Sequence, residues 1–254
     1  MKIALVQPQL IWENPEANRN YLSEMIDSKE ASDLIVLPEM FTSGFTMNPA
    51  HVAESMHGET VNWMKSLARS KNAAVTGSVV IEENGAFYNR LLFVFPTGEI
   101  QTYDKRHLFS LAGEEKIYTS GKDKLIVNYN GWKICLLVCY DLRFPVFARN
   151  TEEYDLLVYV ANWPKVRINA WDILLKARAV ENLSYVIGVN RTGFDENGHE
   201  YNGHSQAIDF LGNDIVAPQE NEGVFTAEID REKMLETRMK LGFLNDKDRF
   251  TVLD

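Results

Sequence analysis

Short apolar runs rich in β-branched residues recur along the chain, at residues 2–7, 34–37, 73–81, 89–95, 124–129, 132–138, 156–161, 185–190, 205–210 and 223–229. Turn-formers such as Pro96-Thr-Gly98 and Leu211-Gly-Asn213 bound several of them, so each run predicts a strand. A further strand-like segment ends at Tyr103. Helical periodicity appears between some of the runs. Ala17, Tyr21, Met25 and Ile26 mark residues 14–29. Val61, Met64, Leu67 and Ala68 mark 59–71, and Trp171, Leu174, Leu175, Ala179 and Leu183 mark 168–183. Glu59 follows Gly58 in the first turn of the second of these, where negative charge suits the helix dipole.

The order of the pieces repeats. Asp33-Leu-Ile-Val-Leu leads to a helix, then to Ala74-Val-Thr-Gly-Ser, then to Leu92-Phe-Val-Phe-Pro-Thr-Gly-Glu99. Asp155-Leu-Leu-Val-Tyr leads to a helix, then to Tyr185-Val-Ile-Gly-Val, then to Ala207-Ile-Asp-Phe-Leu-Gly-Asn213. Strands apolar on both faces need cover on both faces. The pattern therefore predicts an α/β fold, a four-layer α-β-β-α sandwich of two similar sheets related by pseudo-twofold symmetry.

The 254 residues are 45% hydrophobic and 24% charged, an ordinary globular composition. No linker-like or low-complexity stretch divides them, so a single domain over residues 1–254 is expected. A net charge of -10 argues against a protein that tracks nucleic-acid phosphates. No apolar run approaches the ~20 residues of a membrane helix, and the apolar start at Met1 is too short for a signal peptide. Two cysteines and no export signal point to a reducing, cytoplasmic setting.

Those two cysteines change the picture most. Cys135 lies inside an apolar run and Cys139 ends it, in Leu137-Val-Cys-Tyr-Asp-Leu-Arg-Phe-Pro145. A disulfide between them is excluded, because four extended residues separate them by about 13 Å. No paired cysteines or histidines stand at metal-ligand spacing. Cys139 is thus either a small core residue or a nucleophile at the rim of a sheet. Two more strands end on polar groups, at Leu34-Ile-Val-Leu-Pro-Glu39 and at Val160-Ala-Asn162-Trp163-Pro164. Ligand sites in α/β sheets gather beyond such carboxyl ends. Lys105 and His107 follow the segment ending at Tyr103, where a solvated basic loop is the simpler reading, and Glu114 and Glu115 stand in a polar loop.

Together these residues resemble the nitrilase superfamily, the carbon–nitrogen hydrolases. Glu39 in Leu-Pro-Glu, Lys105 in Asp-Lys-Arg-His-Leu-Phe and Cys139 in Val-Cys-Tyr-Asp-Leu-Arg-Phe-Pro match that family's Glu–Lys–Cys triad, and Lys176-Ala-Arg-Ala-Val-Glu-Asn182 resembles its Arg-Ala-(Ile/Val)-Glu-Asn helix. The resemblance runs from Met1 to about Arg249. Leu-Pro-Glu-Met-Phe-Thr-Ser-Gly-Phe and Tyr-Val-Ala-Asn-Trp-Pro look most like omega-amidases, which release ammonia from the terminal amide of 2-oxo acids such as 2-oxoglutaramate. Two positions depart from the broader pattern. Val146 stands where many members have glutamate, and either Glu114 or Glu115 aligns with the second glutamate, with Glu114 preferred.

The resemblance implies covalent catalysis through a cysteine thioester. Glu39 is the expected base, Lys105 and the main-chain N–H of Tyr140 the oxyanion donors, and Glu114 the residue that orients Lys105 or the amide. It requires no metal and no organic cofactor. A small amide bearing a carboxylate would be held by Arg143, whose alternative is to pair with Asp141 and brace the turn. Phe41 and Trp163, with Tyr140, are candidate pocket walls or ordinary core aromatics. A homodimer is implied, through residues 144–150 and the C-terminal tail. Rival readings are an N-carbamoyl amino acid hydrolase, an aliphatic amidase or a nitrilase with the same chemistry, a silent binding protein, and a cysteine–histidine hydrolase using His107.

Overall fold

The computed structural model describes residues 1–28 and 30–252. Its first half holds β1 (Lys2–Gln7), α1 (Pro15–Asp27), β2 (Leu34–Val36), α2 (Glu59–Lys71), β3 (Ala74–Glu83), β4 (Ala86–Val94) and β5 (Ile100–Asp104). The second holds β6 (Leu125–Tyr129), β7 (Trp132–Val138), α3 (Pro145–Ala148), β8 (Leu156–Val160), α4 (Ile168–Asn182) and β9 (Tyr185–Val189). It continues with β10 (Thr192–Phe194), β11 (Glu200–Asn202), β12 (Gln206–Ile208), β13 (Asp214–Val216), β14 (Gly223–Glu228) and α5 (Arg231–Leu241). The expected first helix, 14–29, is α1; Asn14 caps it by accepting from the Ala17 amide at 3.1 Å, and Lys29 lies outside the described residues.

Two six-stranded sheets result, in the orders β14-β1-β2-β3-β4-β5 and β13-β12-β9-β8-β7-β6. Read outward from β14 and from β6, the pairings follow one pattern: antiparallel, parallel, parallel, antiparallel, antiparallel. This is the repeat expected from the sequence. The hairpins β4–β5 and β12–β13 both reverse on a left-handed glycine, Gly98 and Gly212.

Successive residues of the first sheet are buried on opposite faces. Ile3, Leu5, Leu34, Val36, Ala74, Leu91 and Phe93 face the second sheet, in the large core cluster. Ala4, Val6, Ile35, Val75, Leu92 and Val94 face the helices, packing with Leu22 and Ile26 of α1 and Val61, Met64 and Ala68 of α2. In the second half α4 lies against β9. Gly188 permits this, because a Cβ there would stand 2.5 Å from Leu175 and 2.7 Å from Trp171. The Arg-Ala-Val-Glu-Asn segment of α4 is structural: Arg178 donates to the Leu142 carbonyl at 2.6 Å, and Asn182 accepts from the Asn150 amide at 2.9 Å. The first bond holds the turn that follows Cys139, and the second holds the segment after α3.

The halves differ at one connection. β3 passes to β4 through a tight turn at Asn84 and Gly85, whereas an extra hairpin, β10–β11, stands between β9 and β12. It folds over the end of β1, where the Thr192 amide donates to the Pro8 carbonyl at 2.8 Å. Periodicity did not predict it: each strand has only three residues, too few to show alternation. The C-terminal helix α5 also went unpredicted. Met234 is its one fully buried side chain, so it shows no apolar stripe.

Gly203 closes the hairpin with φ +74°, and a Cβ there would lie 2.2 Å from the Gln7 amide nitrogen. Gln7 cannot swing aside: it donates to the Gln219 and Asn221 carbonyls, both at 2.8 Å, and accepts from the Ser205 amide at 2.8 Å. Gly203→Ala is expected to cost about 1–3 kcal/mol, visible as a lower Tm in thermal unfolding.

Candidate active site

Four chain segments meet between the edges of the two sheets. Glu39 follows β2, Lys105 follows β5, Cys139 follows β7 and Asn162 follows β8. Lys105 Nζ lies 2.9 Å from Glu39 Oε1 and 2.8 Å from Glu114 Oε2, and all three side chains have no solvent exposure. Of the two neighbouring glutamates it is Glu114 that reaches Lys105; Glu115 is exposed.

The glutamates are held by further donors. Asn89 Nδ2 donates to Glu39 Oε1 at 2.8 Å and to Glu114 Oε1 at 3.3 Å. Ser78 Oγ donates to Asn89 Oδ1 at 2.7 Å and so sets the direction of its amide. The Asn162 amide donates to Glu39 Oε2 at 2.8 Å, and the Phe109 amide to Glu114 Oε2 at 2.6 Å. Asn89 and Ser78 were not singled out from sequence. Asn89 carried a signal: a carboxamide inside an apolar strand needs a buried partner.

Cys139 sits at a strained corner, with φ +45° in the left-handed region that non-glycine residues avoid. The turn of residues 139–143 begins there. Asp141 is fully buried and ties the turn down, accepting from the Val138 amide at 2.9 Å, the Tyr103 hydroxyl at 2.8 Å and the His107 amide at 3.1 Å. The corner is thus pinned to the segment that carries Lys105. Cys139 Sγ approaches the Asn162 carbonyl at 3.9 Å. Cys135 is buried in the core, as its place inside the apolar run suggested.

Charge and burial decide the protonation states. Burial by itself would drive the proton off Lys105, but the two carboxylates outweigh it and raise the ammonium above its ordinary range. Burial pushes Glu114 up, with Lys105 opposing. Burial and then the charge of Glu39 push the Cys139 thiol well above its ordinary value, and Lys105 only partly offsets them. Both effects favour the thiol form of Cys139.

A cavity of about 570 Å³ opens above the sulfur, bordered by Lys105, Cys139, Tyr140, Arg143 and Trp163 among others. Arg143 does not pair with Asp141, whose Oδ1 is taken by His107 Nδ1 at 2.7 Å. It lies instead over the Trp163 ring, 5.0 Å from its centre. Phe41 is a correction to the sequence reading. Met40 turns the chain with φ +41°, and Phe41 packs on the helix side of the first sheet against Trp63, away from the cavity. Phe45 takes the expected place on the wall, with Lys105 Nζ 5.2 Å from its ring centre. His107 stacks on Phe144 at 3.7 Å and is not on the cavity wall. Arg167, over Phe109 at 5.2 Å, and the hairpin residues Asp195 and Tyr201 also line the cavity, and no local pattern pointed to them.

Comparison with known proteins shows the family. The family model described as carbon-nitrogen hydrolase matches residues 2–239. The chain is 43% identical to the omega-amidase YafV of Yersinia enterocolitica, over 100% of this chain and 99% of that one. It is 34% identical to the 2-oxoglutaramate amidase of Bacillus subtilis, over 87% of this chain and 86% of that one. Among solved structures, XC1258 of Xanthomonas campestris, a CN-hydrolase superfamily protein with an arsenic adduct in its active site, superposes with a TM-score of 0.97. It is 43% identical, over 99% of this chain and 98% of that one. Nit3 of Saccharomyces cerevisiae shares the fold, with a TM-score of 0.84 at 23% identity over 95% of this chain and 94% of that one. The chain belongs to the carbon–nitrogen hydrolase family, the nitrilase superfamily.

Proposed function

We propose that the protein is an omega-amidase that hydrolyses the terminal amide of small 2-oxo dicarboxylic acid monoamides, of the 2-oxoglutaramate type, to carboxylate and ammonia. The observation that carries this reading is the buried Glu39–Lys105–Glu114 cluster beside Cys139, at the base of a cavity whose wall holds Arg143. The relatives named as omega-amidase and 2-oxoglutaramate amidase support the substrate class.

Glu39 takes the thiol proton as Sγ bonds to the amide carbon. A preformed thiolate is not required, because the thiol is held protonated by the same carboxylate that accepts its proton. Negative charge on the carbonyl oxygen is met by Lys105 Nζ and the main-chain N–H of Tyr140. The latter stands in the first turn of a short helix, where amides have no intrahelical acceptor. Collapse breaks the C–N bond, Glu39 returns the proton to nitrogen, and ammonia leaves a thioester. Water then gives Glu39 a proton, attacks the carbonyl and expels the thiol, which regains that proton. Glu114 keeps Lys105 charged and aimed. Arg143 binds the distal carboxylate; its guanidinium carbon stands 5.0 Å from the centre of the Trp163 ring, and it makes no ion pair among the described residues.

The same reading includes a homodimer. Helix α4 leaves Ile173 and Val180 exposed opposite its buried face, and Leu211 and Val146 are more than half exposed. Gly212 brings the Leu211 turn against Val180. An apolar strip of this kind suits a twofold partner, and a reducing, cytoplasmic setting suits the two free cysteines.

Ammonia release is expected to be fastest from 2-oxoglutaramate, slower from glutamine and from neutral amides, and absent from a simple nitrile; Cys139→Ala abolishes it with the fold intact. Turnover independent of a distal carboxylate would sink the substrate assignment. Glu39→Gln is expected to lower turnover by at least about 100-fold. In that variant the thiol should ionise at lower pH than in the wild type, since a carboxylate that raises its pKa is gone. The pH dependence of Cys139 alkylation reads this shift, and an upward shift would refute the account. Val180→Asp should convert a dimer to a monomer in sedimentation velocity, and a monomeric wild type would remove the dimer from the proposal.

A further inference from the structure

The hairpin β10–β11 has no counterpart in the first half of the molecule, and it supplies one wall of the cavity through Asp195 and Tyr201. Behind that wall lies Arg191, fully buried. It makes no ion pair among the described residues. Its guanidinium donates to three carbonyls: Thr192 at 3.0 Å, Phe194 at 3.0 Å and Leu10 at 3.1 Å. Nη1 has no partner. The guanidinium carbon stands 4.7 Å from the centre of the Tyr201 ring. Burial pulls the group down to about 10, with Tyr201 and Asp195 opposing, so it is charged at neutral pH.

A buried cation without an ion-pair partner is costly, and this one is retained between the hairpin, the segment after β1 and the rear of Tyr201. The front of Tyr201 is fixed as well. Its hydroxyl donates to Asp195 at 2.9 Å, and Asp195 also accepts from the Asn197 and His199 amides, both at 2.9 Å. With its proton committed, Tyr201 offers a ligand a ring face and an acceptor oxygen. The segment that Arg191 grips through Leu10 leads directly to Trp12 and Glu13, which line the same cavity. One side chain therefore sets two walls of the substrate chamber without touching the catalytic cluster.

We infer that Arg191 is a positioning residue that determines substrate affinity by holding Tyr201 and the β10–β11 hairpin against the segment carrying Trp12. It acts on binding and leaves the chemistry at Cys139 unchanged. The inference rests on the site assigned above, so its test measures occupancy directly and without turnover. Glutarate, a five-carbon dicarboxylate, is titrated against alkylation of Cys139 by iodoacetamide. In Arg191→Met the half-protecting concentration is expected to rise roughly tenfold, the loss of one cation–π contact and its hydrogen bonds. The unprotected alkylation rate and stoichiometry should stay within about twofold of the wild type. Arg191→Lys, which keeps a cation on the ring, should restore part of the affinity.

An unchanged half-protecting concentration, or alkylation stoichiometry falling with no change in protection, reduces Arg191 to a structural part and overturns the inference. If Arg191→Met does not fold, Tyr201→Leu tests the other end of the same contact. It should weaken protection similarly, and unchanged protection overturns the inference. Failure of glutarate to protect the wild type also overturns it, whereas missing ammonia release alone counts only against the amidase assignment.

Discussion

The structure depends on one ammonium held between two carboxylates in a place that water does not reach. Lys105, Glu39 and Glu114 form a cluster with no solvent exposure. Taken singly, each charge would be expelled or neutralised there. Together, with Asn89 and the amides of Phe109 and Asn162 supplying further hydrogen bonds, they persist. Breaking such a cluster by removing one partner typically costs about 3–5 kcal/mol. The arrangement is therefore both a structural commitment and the source of the site's chemistry.

That cluster explains why the nucleophile sits where it does. Burial and then the charge of Glu39 hold the Cys139 thiol up, and Lys105 only partly offsets them. The corner at Cys139 is strained, and the strain is sustained by Asp141 beneath the turn and by Arg178 from α4. Asp141 also reaches Tyr103 and His107, so the strand end bearing sulfur and the strand end bearing Lys105 move as one body. A histidine that sequence alone offered as a possible base is thus a structural brace.

The duplicated sheets and the single inserted hairpin divide the labour. Two matching frameworks bring strand ends from each half to one crevice, which a single sheet would have kept apart. Symmetry alone leaves that crevice open on one side. The β10–β11 hairpin closes it, and Arg191 fastens the hairpin to the segment after β1. The Glu39–Lys105–Glu114 cluster lies in the repeated part of the fold, and the cavity wall draws on both the repeated and the unrepeated parts.

The apolar runs of β1–β4, the helical spacing of α2 and α4 and the glycine turns at Gly98 and Gly212 were legible in the chain, because strands buried on two faces read as continuous apolar segments and helices buried on one face write a local period. The motifs around Glu39, Lys105 and Cys139 were legible through their joint resemblance to a family, since each taken alone also fits a loop or core residue. Three-residue strands left no period to read, and Phe41 could not be told from Phe45, because one left-handed residue at Met40 decides which of them faces the cavity. The choice between Glu114 and Glu115, the pairing of Asp141 with His107 rather than Arg143, and the burial of Arg191 behind Tyr201 were set only by tertiary structure. Each depends on groups distant in the chain competing for the same space and the same hydrogen bonds, and no local pattern records the outcome of that competition.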